Sequence, residues 1–182
     1  MGEQLIRSEY LYRGRVITLR LDQVRLDGEH KKVTVREIVE HRGAAVIIPM
    51  DDQNRVLMVR QYRAAAAREL LEVPAGTMNE GEDPAMCATR ELKEETGYQA
   101  GVWEPLGHIY SSPGFSTEKM HLFLARQLRQ SQASPEEDED ITVQWVPLGE
   151  AIGMIERGEL VDAKTIVGLL RVARRIDGLR KK

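Results

Sequence analysis

Residues 76–98 read GTMNEGEDPAMCATRELKEETGY, a loop followed by a helix. Asp83 is suited to cap the helix N-terminus, and Pro84 suits the first turn because its missing N–H would have no intrahelical partner there. Gly97 can close the C-terminus in a left-handed conformation. Within the helix Glu91, Glu94 and Glu95 are spaced i, i+3 and i+4, which puts three carboxylates on one face about a turn apart. Like charges at that spacing repel by a few tenths of a kcal/mol per pair, so something has to offset them. Arg90 offsets part of the repulsion, and a divalent cation would offset more. An all-oxygen cluster suits Mg²⁺, with Mn²⁺ as the alternative, because these hard ions share their ligands with substrate phosphates. Taken alone, ELKEE also fits a solvated acidic helix face.

The surrounding residues decide between those readings. Gly76, Glu82, Arg90, Glu91, Leu92, Glu94, Glu95 and Gly97 resemble, without a gap, the Nudix box: Gly, five residues, Glu, seven residues, Arg-Glu, an aliphatic, any residue, Glu-Glu, any residue, Gly. At ordinary residue frequencies such a register arises by chance with a probability on the order of 10⁻⁷. Tyr98 stands where the family usually has an aliphatic residue, and it keeps the apolar body.

At 182 residues the chain is one domain, or a domain with a small appendage, and is long enough to bury a real core. Hydrophobic content of 42% with 30% charge is ordinary for a globular protein, and a net charge of −3 argues against general affinity for nucleic acid or membranes. No apolar run approaches the ~20 residues of a membrane span, and MGEQLIRSEY has no apolar signal segment, so the expected location is the cytoplasm. The single cysteine, Cys87, excludes an internal disulfide framework and reads as a small buried residue of the acidic helix. His30, His41, His108 and His121 show no metal-ligand spacing.

Residues 5–42 read as strands: YLYRGRVITLRLDQVRL alternates, Asp27-Gly28 is a turn signal, and KKVTVREIVEH follows with Val33, Val35 and Ile38 as the inward set. AAVIIPM, residues 44–50, is a continuous apolar run expected to be buried on both faces, with RVLMVRQYR as its hairpin partner across the polar turn DDQN. A short strand from Leu70 to Pro74 leads into the loop and acidic helix. Strands follow from Trp103 to Tyr110, Lys119 to Leu128 and over ITVQWVPL, with a short helix from Gly149 to Gly158 and a final one from Asp162 to about Ile176. RQSQASPEEDED reads as a surface loop, and RVARRIDGLRKK as a solvated basic helix end. Strand pairs interleaved with these helices predict a mixed sheet covered on both faces.

The resemblance implies the same architecture: a Nudix α/β/α sandwich over residues 43–182, preceded by a small N-terminal antiparallel β-sheet over residues 1–42. It implies hydrolysis of a P–O–P bond, with Glu91 and Glu95 carrying most of the metal coordination, Glu94 assisting and the Ala75 carbonyl adding a ligand. Glu82 is then the outer member of the set, Arg90 orients the carboxylates by hydrogen bonds, and Gly76 and Gly97 are structural positions of the motif.

Outside the box the chain resembles the ADP-ribose pyrophosphatase branch, through YRGRV, Ser112-Pro113-Gly114 and the acidic EEDEDI. That branch implies a turn at Pro113 and Gly114 facing the sugar half of the substrate, and a loop carboxylate acting as base, Glu137 first and Glu139 next. Arg36 and Arg63 match positions that hold the nucleotide end, and guanidinium groups stack on purines and pair with phosphate. The resemblance further implies a homodimer that exchanges its N-terminal sheet, so that Arg36 serves the partner's site. Two readings stand beside ADP-ribose hydrolysis. One is hydrolysis of another nucleoside diphosphate sugar such as GDP-mannose; the other is a Nudix module that senses a nucleotide without cleaving it, against which the intact carboxylate set argues.

Overall fold

The computed structural model describes residues 2–27, 32–131 and 141–180. The chain forms two compact units, one of Met1–Gly43 with Tyr110–Lys119, the other of Ala44–Ile109 with Met120–Lys182.

The first unit is an antiparallel meander of β1 (Glu3–Arg13), β2 (Ile17–Leu26) and β3 (Val33–His41), with Leu19 opposite Val39 and Asp22 opposite Arg36. Two register shifts, between Leu5 and Arg7 and between Tyr10 and Tyr12, interrupt the β1–β2 ladder. The expected inward set does not hold. Val33 and Val35 are exposed, and the buried residues of the sheet are Asp22 and Val24 on β2. A three-stranded sheet supplies no second layer of its own, so only its middle strand is shielded. Asp22 is satisfied there by Ser8 Oγ at 2.6 Å and Arg20 Nε at 3.1 Å. The segment that holds Pro113 and Gly114 closes on itself, Phe115 N and Ser116 N both donating to Ser112 O. It is tied to β3 by Val39 N to Phe115 O at 2.7 Å and Thr117 N to Val39 O at 3.0 Å.

In the second unit β4 (Ala44–Pro49) is the spine. It lies between β7 (Ala75–Thr77), antiparallel, and β9 (Lys119–Gln130), parallel, and β8 (Tyr98–Tyr110) completes a mixed sheet in the order β7-β4-β9-β8. Every residue of β4 is buried, and its alternation assigns the two faces. Ala45 and Ile47 pack with Cys87, Ala88 and Leu92 of α1 (Pro84–Thr96). Val46 and Ile48 pack with Leu169 and Val172 of α3 (Ala163–Arg180) and with Ala151 of α2 (Leu148–Glu156). Helices therefore cover both faces, the sandwich expected from the pattern. The hairpin between β4 and the next strand does not form. β7 and β9 take both edges of β4, so β5 (Arg55–Arg63) keeps only a bridge from Met50 to Val56 and joins a second sheet, β10-β5-β6, with β6 (Arg68–Glu72) and β10 (Thr142–Pro147).

Candidate active site

Helix α1 begins and ends where its caps dictate. Asp83 Oδ1 accepts from Ala85 N at 2.8 Å and Met86 N at 3.3 Å, Pro84 opens the first turn, and Gly97 at φ 70° closes the end with its N–H on Lys93 O. Burial of Cys87, Ala88 and Leu92 fixes the helix's rotation; Glu95 is buried on that same side, and Glu91 and Glu94 follow along its margin beside Arg90.

Arg90 gathers them. Its Nε and Nη2 fork onto the two oxygens of Glu82 at 3.0 Å each, while Nη1 donates to Glu91 Oε1 at 2.6 Å and to Glu94 Oε2 at 3.0 Å. Nη2 also reaches the Thr77 carbonyl at 3.3 Å. The Arg90 fork holds the Glu82 carboxyl down at about 2, helped by the Asn79 N–H and opposed by partial burial. Three carboxylates round one guanidinium push the Arg90 pKa above its ordinary value. Burial, with Glu91 and Glu82 adding to it, pushes the Cys87 thiol up to about 12, so Cys87 fills space and is no nucleophile.

Gly76 is required by contact: a Cβ built there would overlap the Glu91 carboxylate. The oxygen-only donor set, with the Ala75 carbonyl on β7 next to Gly76, fits a hard divalent cation. As the side chains stand, the carboxylates converge on Arg90. Among the described residues no group of three His, Cys, Asp or Glu side chains is arranged round a common point for a metal. Glu95, only 6% exposed, lies on the same helix.

The next constellation was not legible as a site. Glu72, 1% exposed at the end of β6, accepts Arg63 Nε on Oε1 at 2.8 Å and Arg63 Nη2 on Oε2 at 2.7 Å. Lys164 Nζ donates to Glu72 Oε2 at 2.5 Å and pairs with Asp162 Oδ2 at 3.0 Å. Burial pushes the Glu72 carboxyl up, but the Arg63 hydrogen bond and the Lys164 charge outweigh it and hold the group below its ordinary range. Arg63 is pushed upward by the Glu72 bond, and the negative charge of Glu95 adds to the same effect. Two signals pointed this way: an acidic residue inside the apolar run LLEVP, and a lysine in a helix's first turn, where the macrodipole disfavours it.

The remaining candidates are not brought to this place by the second unit. Arg36 lies in the first unit, its guanidinium on the Glu3 carboxylate, and Pro113 and Gly114 sit exposed in the Ser112–Ser116 turn of that unit. Glu137 and Glu139 lie outside the described residues.

Among known proteins, the chain is 43% identical over 173 residues to an ADP-ribose pyrophosphatase of Mycobacterium tuberculosis, covering 93% of this chain and 82% of that protein. It is 38% identical over 170 residues to a methanol dehydrogenase activator of Bacillus methanolicus, covering 92% and 90%. The fold matches the crystal structure of an ADP compounds hydrolase with a TM-score of 0.85 at 22% identity, over 98% of this chain and 96% of that one. The NUDIX domain profile matches residues 40–167, which contain the whole Arg90 cluster and the strand that supports it, and on that match the chain belongs to the NUDIX family.

Proposed function

We propose that the chain hydrolyses the diphosphate bond of ADP-ribose, giving AMP and ribose 5-phosphate, with Mg²⁺ as its cation. The observation that carries this reading is the carboxylate cluster of the box, Glu82, Glu91 and Glu94 gathered on Arg90 beside Gly76, an oxygen-only set suited to a hard cation. The name of the Mycobacterium tuberculosis relative supports ADP-ribose as the substrate.

When bound, the cation neutralises diphosphate oxygens and lowers the pKa of the attacking water. Glu91 and Glu95 would hold it, Glu94 would assist, and the Ala75 carbonyl would add a neutral ligand. Arg90 keeps Glu91 and Glu94 oriented from behind, anchored by its fork on Glu82. Glu137 takes the proton of the water, with Glu139 as the alternative. The water oxygen bonds to phosphorus as the bridging P–O bond breaks, and the electron pair leaves with the departing phosphate. Arg63 holds the nucleotide end; Arg36, which serves the partner's site, and the Pro113-Gly114 turn, facing the sugar half, keep the roles that the resemblance to the ADP-ribose pyrophosphatase branch implies.

In this reading residues 1–42 form a dimerisation region and residues 43–182 the hydrolase domain. The exposed Leu5, Tyr10, Leu11 and Tyr12 of β1 support a homodimer. The cytoplasmic location rests on composition, and no described helix is long and apolar enough to cross a membrane.

The test is product-resolved hydrolysis of ADP-ribose beside GDP-mannose, with Mg²⁺ and then with excess EDTA. AMP release dominated by ADP-ribose and abolished by EDTA is the expected result. Preference for GDP-mannose would overturn the substrate and keep the chemistry; nucleotide binding without turnover would leave a sensor.

A further inference from the structure

We infer that Lys164 is a positioning residue for the nucleotide half of the substrate, acting through Glu72 to fix the guanidinium of Arg63. The inference rests on the reading of Arg63 as a nucleotide-holding residue.

Arg63 is anchored on one edge only. Nε and Nη2 are committed to the two oxygens of Glu72, and the side chain is still 40% exposed, so part of it stays open to a ligand. That geometry suits stacking on a purine or pairing with a phosphate, provided the carboxylate beneath does not rotate. Glu72 alone could rotate. Lys164 prevents it by donating to Oε2, the same oxygen that receives Arg63 Nη2.

Lys164 is itself held. Its Nζ pairs with Asp162 Oδ2, and that oxygen also accepts Thr165 N at 3.0 Å and Thr165 Oγ1 at 2.6 Å. Thr165 Oγ1 in turn accepts Val73 N at 2.9 Å, pinning the backbone next to Glu72. The N-terminal turn of α3 therefore clamps both the side chain of Glu72 and the chain that leads to Ala75. A lysine at this place is disfavoured by the helix dipole, and its two carboxylate partners offset that cost.

The test is a double-mutant cycle on the full-length, Mg²⁺-loaded protein, with Lys164→Met, Arg63→Ala and the pair. Lys164→Met is expected to raise KM for ADP-ribose about 10-fold with kcat within about twofold, the size typical of a group that orients a ligand-binding residue. In the Arg63→Ala background the same change is expected to have almost no further effect on KM. Equal effects in both backgrounds would overturn the inference and leave Lys164 a stabilising residue. A second readout needs no substrate: the Arg63 Nε–H resonance, bonded to Glu72 Oε1, is expected to be sharp in the wild type and to broaden in Lys164→Met, and an unchanged signal would also overturn the inference. Should Lys164→Met fail to fold, Lys164→Gln is read in the same way. If the wild type binds a purine nucleotide but does not turn over ADP-ribose, the proposed function fails while the cycle is still read from nucleotide Kd. If it binds no purine nucleotide at all, both fail.

Discussion

Arg90 forks onto Glu82 with both contacts at 3.0 Å, joining the box helix to the loop that precedes it. The fork is what lets one guanidinium also hold Glu91 and Glu94, because its planar donors point in fixed directions. Arg90→Lys keeps the charge and loses that geometry. It is expected to cost about 2 kcal/mol of stability and at least 10-fold in kcat, by denaturant unfolding and turnover. A variant as stable and active as the wild type would mean that Arg90 serves only as a counter-charge.

The same pair sets a pH dependence. Glu82 is ordinarily near 4.5 and is held down at about 2 by Arg90, so its contribution to stability is fully present above about pH 4.5. It is lost as pH falls from there toward 2, since the unfolded state takes up the proton first. Glu72 is depressed in the same direction. Urea unfolding between pH 6 and pH 3 should show stability falling with acid, and Glu82→Gln should flatten that limb. An acid limb of unchanged slope in Glu82→Gln would assign the loss to other carboxylates.

Gly76→Ala separates fold from function. The added Cβ meets the carboxylate end of Glu91, a flexible group, so the strain is relieved by moving Glu91 and the backbone can stay. The variant is expected to fold with a melting temperature near that of the wild type and to lose about 10- to 100-fold in turnover. Loss of folding instead would show that the backbone between β7 and the helix cannot adjust.

Much of this was legible because local chemistry decides it. Asp83, Pro84 and Gly97 delimit α1 by their own hydrogen-bonding and conformational properties, and the unbroken apolar run of β4 could only be a strand buried on both faces. Strand partnership was less accessible. β5 follows β4 in sequence, yet β9, some seventy residues on, takes the parallel edge, and nothing in a hairpin signal registers a distant competitor. The orientation of β3 failed for a related reason, since alternation fixes two faces without saying which is covered. Glu72 and Lys164 were missed as a pair because they are 92 positions apart and neither has a spacing of its own.

Leu92 anchors the carboxylate face from below. It is fully buried against Ala45 and Ile47, and removing its side chain would leave a cavity between α1 and β4. Leu92→Ala is expected to cost about 3 kcal/mol, read from the urea midpoint at unchanged m-value. A cost below about 1 kcal/mol would imply that the helix collapses onto the sheet without penalty.

Glu95 offers the sharpest test of the proposed cation site. It is 6% exposed on the buried side of α1, and Gln has nearly the same shape. Glu95→Gln therefore leaves packing almost unchanged while replacing one anionic oxygen by an NH₂ that cannot ligate a hard cation. The expected outcome is a folded protein with turnover reduced by at least about 100-fold and Mn²⁺ affinity reduced about 10- to 100-fold, by calorimetry. In the wild type, EDTA should abolish activity and added Mg²⁺ restore it; in Glu95→Gln, excess Mg²⁺ should recover only part. Wild-type turnover in the variant would remove Glu95 from the cation's ligands and leave Glu91 and Glu94 to hold it with donors from outside the box helix.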